Sequence, residues 1–129
     1  MPLQLVLESD LPFAETRYVG AIDDAQLMGF YRGLYRRPEF ATIRAELVDL
    51  SEADLSLVSG SGLSELAELI SDELARLNIP SMRTAVYAPS DLPFGVARIY
   101  AAWSELSPEE VRVFRDRDDA IRWLSVSGT

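Results

Sequence analysis

Five apolar residues, Leu63, Leu66, Ile70, Leu74 and Leu77, recur at i, i+3, i+7, i+11 and i+14, and β-prone runs flank them, Ala45–Leu50 before and Met82–Ala88 after. The spacing is that of one buried face of an α-helix. A strand, a helix and a strand in close succession favour a parallel pair joined by a helical crossover, so the centre of the chain already argues for an α/β domain.

The flanking segments extend this alternation. Leu3 to Glu8 is apolar and extended, Ser9-Asp10-Leu11-Pro12 supplies turn residues, and Phe13 to Ile22 resumes the extended character, which predicts two early strands that can pair as a hairpin. Asp23-Asp24 then caps a helix carrying Leu27, Phe30, Tyr31 and Leu34, which Arg36-Arg37-Pro38 stops. After Ala45–Leu50, Ser51-Glu52-Ala53-Asp54 reads as a loop or short helical turn, with Asp54 three positions after Ser51. Ser59-Gly60-Ser61-Gly62 precedes the central helix, and Asn78-Ile79-Pro80 ends it.

Beyond the next strand, Ala88-Pro89-Ser90-Asp91 leads into a helix with Leu92, Val96, Ile99, Tyr100 and Trp103 on one face. Ser107-Pro108-Glu109-Glu110 reads as a capped turn feeding a short strand, Val111 to Arg115, and Asp116-Arg117-Asp118-Asp119 opens a terminal helix. The predicted order is β-β-α-β-α-β-α-β-α: four or five strands in a mostly parallel sheet, one antiparallel edge, and about four helices. Ser9-Asp10-Leu11-Pro12-Phe13 returns as Ser90-Asp91-Leu92-Pro93-Phe94, but the first copy leads into a strand and the second into a helix, so the repeat reads as coincidence.

With 129 residues the chain fits one domain spanning residues 1–129, and a 48% hydrophobic content supplies its core without metals or disulfides. Cysteine and histidine are absent and all 12 basic residues are arginines. Thiol and histidine chemistry, lysine Schiff bases and the lysine of a phosphate-binding loop are thereby excluded. Recognition is favoured over catalysis; the enzyme alternative is a carboxylate working with water, for which Asp49 with Arg98 is the candidate pair. No cofactor is implied, and no metal site is expected.

A formal charge of −9 disfavours nucleic acid as a partner. Residues Met1-Pro2-Leu3-Gln4 do not open a signal peptide, and no apolar run reaches the roughly 18 residues of a membrane span, so the expectation is a cytoplasmic protein without membrane insertion.

Candidate sites follow from the predicted ends of elements. A strand ending near Asp49 and a helix starting after Gly62 would gather Asp49, Ser51, Ser59, Gly60, Ser61 and Gly62 in a crevice at the carboxyl end of the sheet. Hydroxyls and free N–H groups there would suit an anion or a partner. The structural alternative is that Ser61 caps the helix and the glycines form a tight loop. Arg98 would reach the same crevice to clamp a carboxylate or phosphate, or would form a structural ion pair. Tyr100, Trp103 and Trp123 fit core packing, an interface or an aromatic-lined pocket.

Several short stretches together resemble a known family. Val19-Gly20-Ala21-Ile22-Asp23, Tyr35-Arg36-Arg37-Pro38-Glu39-Phe40, Leu47-Val48-Asp49-Leu50-Ser51, Phe94-Gly95-Val96-Ala97-Arg98-Ile99-Tyr100, Val113-Phe114-Arg115 and Asp119-Ala120-Ile121-Arg122-Trp123-Leu124 carry the likeness. The chain resembles the STAS superfamily, whose fold is that of the bacterial anti-sigma-factor antagonists (SpoIIAA-like), and its STAS/SEC14-like branch. The resemblance implies a regulatory module with a protein partner. In the antagonists an Asp-Ser-Ser-Gly-Leu motif is phosphorylated on its first serine. The matching stretch here is Ser59-Gly60-Ser61-Gly62-Leu63, which puts Gly60 at the phosphoacceptor position and Ser59 at the aspartate, while Ser61 keeps the adjacent hydroxyl.

The functional expectation is a non-catalytic regulatory or protein-interaction module, with phosphorylation at Ser51, Ser59 or Ser61 as one mode of control. The alternatives are a carrier or sensor of a small apolar or anionic ligand, and the carboxylate enzyme. A homodimer is compatible with the prevalence of symmetric assemblies.

Overall fold

The structure, a computed structural model, describes residues 3–6 and 13–125. Its strands are β1 (Leu3–Val6), β2 (Ala14–Asp23), β3 (Ala45–Leu57), β4 (Met82–Tyr87) and β5 (Glu109–Phe114). Its helices are α1 (Asp24–Leu34), α2 (Gly60–Arg76), α3 (Asp91–Trp103) and α4 (Arg117–Ser125), with a 3-10 turn at Pro38–Ala41. The strands lie in the order β1-β2-β3-β4-β5, with β1 antiparallel to β2 and the other pairs parallel. This is the predicted α/β architecture; the proposed turn at Ser9–Pro12 lies outside the described residues.

Side-chain parity divides the sheet into two faces. Ala14 and Tyr18 of β2, Val48 and Leu50 of β3, and Met82 and Val86 of β4 share a core with Leu27 and Tyr31 of α1, Leu63, Leu66 and Ile70 of α2, and Ala97 and Tyr100 of α3. On the opposite face Phe13, Leu47 and Ala85 pack against Ala120 and Leu124 of α4. Helix α1 starts with a full capping box: Asp23 accepts from Gln26 N, and the Gln26 side chain accepts from Asp23 N.

One sequence expectation fails inside β3. Ser51-Glu52-Ala53-Asp54 is neither a loop nor a helical turn, because the strand continues to Leu57. Its pairing with β2 slips by a residue between Arg17↔Asp49 and Val19↔Glu52, and again before Asp23↔Leu57. Each slip places an extra residue in β3, the signature of a β-bulge. After the first bulge the inward positions change from Val48 and Leu50 to Ala53 and Leu55, so the alternation breaks at Ser51 and mimics a loop. Gly20, opposite Ala53, takes a φ of 76°, which favours glycine.

Helix α3 brings a second correction. Its apolar residues do share a face, but the inward side is Pro93, Ala97 and Tyr100, whereas Leu92, Ile99 and Trp103 are at least half exposed. The larger side chains one position further round are turned outward. Spacing identified a face without saying which way it points.

Candidate functional site

The loop from β3 to α2 is organised by Ser59 rather than by Ser61. Ser59 is the N-cap, and its hydroxyl oxygen accepts from Gly62 N at 2.9 Å. Its own hydroxyl and backbone N–H donate to the Asp24 carboxylate, the latter at 2.9 Å. Asp24 lies in the first turn of α1, so the two helix starts are tied together across 35 positions of sequence.

Gly62 is demanded by this contact, since a Cβ there would overlap the Asp24 carboxyl group. Gly60 has open space where a side chain would go. The partial positive charge at the start of α2 is therefore already met by a carboxylate of the chain itself. Ser61 Oγ, exposed, lies 3.2 Å from Ser59 Oγ.

The other sequence candidates are dispersed. Because β3 runs on to Leu57, Asp49 and Ser51 lie inside the strand and not beside Ser59. Asp49 faces the α4 side, where Arg117 bridges it at 3.4 Å to the buried Glu15 at 3.0 Å, and Ser51 N donates to Asp49 Oδ1. Burial acts to raise the Glu15 pKa, but hydrogen bonds and charge from Arg117 and Arg17 outweigh it and hold the carboxyl below its usual range. Arg98 is exposed and lines a shallow groove with Val111, Arg112 and Val113 of β5, not the Ser59 loop. Trp123 packs beside Phe114 on the α4 face, with the Arg83 guanidinium 4.0 Å above its ring. Tyr100 is buried in the main core.

Trp103, by contrast, belongs to a surface feature. Leu92, Ile99 and Trp103 run along the outer side of α3, and Leu106 beyond its end is fully exposed. Trp103 and Leu106 border a groove of about 260 Å³ whose far wall is α2, through Ser64, Ala67, Glu68, Ser71 and Asp72.

Sequence reasoning missed a polar row inside the main core. Thr16 donates to Glu46 and Thr84 donates to Glu109, both at 2.7 Å. Tyr100 also donates to Glu109, and the Tyr18 and Tyr31 hydroxyls bond to each other. Both carboxyls are almost fully buried. Burial pushes Glu46 up to about 8, with the nearby Glu109 adding to the rise, and burial raises Glu109 as well. The signal was parity, because Glu46 shares its face with Val48 and Leu50, and Glu109 shares its face with Val111 and Val113.

Among the described residues no group of three or more acidic, histidine or cysteine side chains converges to hold a metal, and no helix is long and apolar enough to cross a membrane. The fold itself has known counterparts. A protein of the DUF3478 family with a SpoIIAA-like fold, from Shewanella loihica PV-4, superposes with a TM-score of 0.56 at 21% identity over 95% of this chain and 91% of that one. The chain has the SpoIIAA-like fold. The anti-sigma factor antagonist SpoIIAA in its unphosphorylated form gives a TM-score of 0.58 at 14% identity, covering 96% of this chain and 98% of its own. No family model matches the sequence, and no curated protein does.

Proposed function

We propose that this chain is a non-catalytic protein-interaction module that receives a protein partner along the outer side of α3 and the adjoining groove on α2. The observation that carries this reading is the line Leu92, Ile99, Trp103 and Leu106, four large apolar side chains at least half exposed on one side of the molecule. Apolar surface gathered in this way, with a tryptophan in it, is the composition of interface anchors. Acidic residues Glu68 and Asp72 on the facing wall give the partner's rim a basic complement.

The shared fold with an anti-sigma factor antagonist supports a regulatory role. Ser61, exposed beside the Ser59 cap, is the hydroxyl we assign to any phosphorylation of this loop, since the Ser59 hydroxyl is committed to Asp24. Intact mass of native protein with and without Ser61→Ala checks that assignment.

The decisive experiment is affinity capture from the native cell with the wild-type chain, Trp103→Asp and Ile99→Asp, each first shown to be folded by circular dichroism. A stoichiometric partner lost by both variants is the expected result. A partner equally retained by both, or none recovered by the wild type, overturns the proposal. Sedimentation of the pure protein identifies the case in which the partner is a second copy.

A further inference from the structure

Strand β5 closes the sheet, so one of its edges has no strand beside it. The bonds at its two ends show which residues that edge exposes: Met82 N donates to Pro108 O at 3.1 Å, and Ala88 N to Phe114 O at 2.8 Å. In a parallel pair a residue turns its N–H and C=O to the same neighbour, and the next residue turns both the other way. Pro108, Glu110, Arg112 and Phe114 therefore face β4, while Glu109, Val111 and Val113 direct their backbone groups outward. Ser107 Oγ accepts the Glu109 N–H at 3.1 Å. Among the described residues nothing accepts those of Val111 and Val113.

The open edge borders a groove of about 500 Å³, walled on α3 by Phe94, Arg98, Ala101 and Ala102 and on β5 by Val111, Arg112 and Val113. Natural sheet edges are blunted by a covering element, a bulge, short length or charge. Strand β5 has six residues in unbroken register with β4, which leaves charge as its guard. Arg83 holds Glu110 at 3.6 Å, and Arg115 holds Asp91 at 2.8 Å. Arg98 and Arg112 are exposed, and among the described residues neither reaches a carboxylate, in a chain with 21 acidic residues. Glu105, just past the end of α3, is the one acid on the groove wall among the described residues. The sign of the edge is thus set by two arginines, which deter a basic strand and suit an acidic one.

We propose that the open edge of β5 accepts an extended acidic segment of a partner protein as a sixth strand. Backbone bonds to Val111 and Val113 hold it, the mode in which other sheet edges take up peptides. Its side chains alternate between the two faces of the sheet. On the α3 side they meet Val111 and Val113, which pack on the main core, and the small Ala101 and Ala102, a lining that suits valine. On the α4 side they come beside Arg112, whose guanidinium lies 5.7 Å from the Trp123 ring, and glutamate or aspartate fits there. Arg98 adds a second positive charge from the groove wall. The formal charge of −9 opposes an acidic ligand at a distance, but beyond about 8 Å it is largely screened at physiological ionic strength. This surface is separate from the groove that Trp103 and Leu106 border with α2.

The probe is a blocked peptide of about eight residues alternating valine and glutamate, long enough to span β5, with a valine–lysine peptide as its charge-reversed control. Both are titrated to about 5 mM against the full isotope-labelled chain, because a short peptide that must order itself binds weakly. Amide exchange supplies a readout that side-chain attraction alone does not move. In the free chain the Val111 and Val113 amides should exchange fast, and the Arg112 amide, turned to β4, slowly. The glutamate peptide should bind saturably and slow Val111 and Val113 roughly tenfold at about nine-tenths occupancy, and the lysine peptide should do neither. Arg98→Glu and Arg112→Glu should each weaken binding roughly tenfold. Val113→Pro removes an outward N–H and spares the ladder to β4, so it should fold and lose binding.

No binding by the glutamate peptide, equal binding by the lysine peptide, or binding that leaves Val111 and Val113 unprotected overturns the proposal on the wild-type chain alone, whether or not the variants fold. Protection of those two amides before any peptide is added, in a chain that sediments as a dimer, assigns the edge to a second copy and also overturns it. The surface beside Trp103 is read by a separate capture from the cell, so failure of either proposal leaves the other standing.

Discussion

Replacing Glu46 by glutamine should stabilise this protein at neutral pH and do nothing at pH 4. In the native state the Glu46 carboxyl titrates at about 8 because it is buried, against 4.5 for an ordinary glutamate. Between those values the native chain holds a proton that the unfolded chain has released, so stability falls as pH rises through the window. At pH 7 the unfolded carboxyl lies about 2.5 units above its pKa, which at about 1.36 kcal/mol per unit makes the penalty roughly 3 kcal/mol. Glutamine keeps the acceptor for Thr16 and, like the protonated acid, carries donor hydrogens, but it has no proton to retain. The difference in unfolding free energy between Glu46→Gln and wild type, from urea titrations at pH 4, 5, 6, 7 and 8, should start near zero and grow by about 1.4 kcal/mol per unit above about pH 4.5. Carboxylates with lowered pKa, such as Glu15 and Glu73, shift stability the other way but cancel in the difference. A flat difference across that range, or one largest at pH 4, refutes the reasoning.

Other perturbations separate the remaining contacts. Gly62→Ala drives a methyl group into Asp24 and should cost about 2 kcal/mol in chemical denaturation; in combination with Asp24→Ala the alanine should cost much less. Arg117→Ala leaves Glu15 buried with Arg17 alone, an expected loss of about 2 kcal/mol at pH 7 that fades in acid as Glu15 protonates, followed by urea titration at both pH values. Trp103→Ala removes an exposed side chain and should change the melting temperature little, by about 0.5 kcal/mol or less in stability, while weakening partner capture.

How much of this was visible beforehand depended on whether a pattern carries its own direction. The α2 stripe did, because strands on both sides left it one place to pack, and Leu63, Leu66, Ile70 and Leu74 are all buried. The α3 stripe did not: Leu92, Ile99 and Trp103 have the same periodicity as a core face, yet the side of the helix that is buried is the one carrying Pro93, Ala97 and Tyr100. The second half of β3 was hidden by the bulge at Ser51. The fold survived that error because the first half already supplied the strand. The candidate site fared worse, since shortening β3 placed Asp49 beside Ser59. The tie between Asp24 and Ser59 joins residues 35 apart with no pattern linking them. The glutamate row was readable in principle, from Glu46 alternating in step with Val48 and Leu50, but a charged residue in a strand is ordinarily assigned to solvent.

The two slips in the β2–β3 pairing bear on how this chain tolerates insertions and deletions. Loops usually absorb a lost residue. Ser51-Glu52-Ala53-Asp54 has the composition of such a loop, and although it lies inside a strand, removing one residue there would erase the bulge and leave Ala53 and Leu55 on their inward face and opposite the same β2 positions. A reading frame of side chains, rather than of codons, is reset at Ser51, so the strand that delivers the chain to Ser59 can lose one residue there without turning its apolar side chains outward.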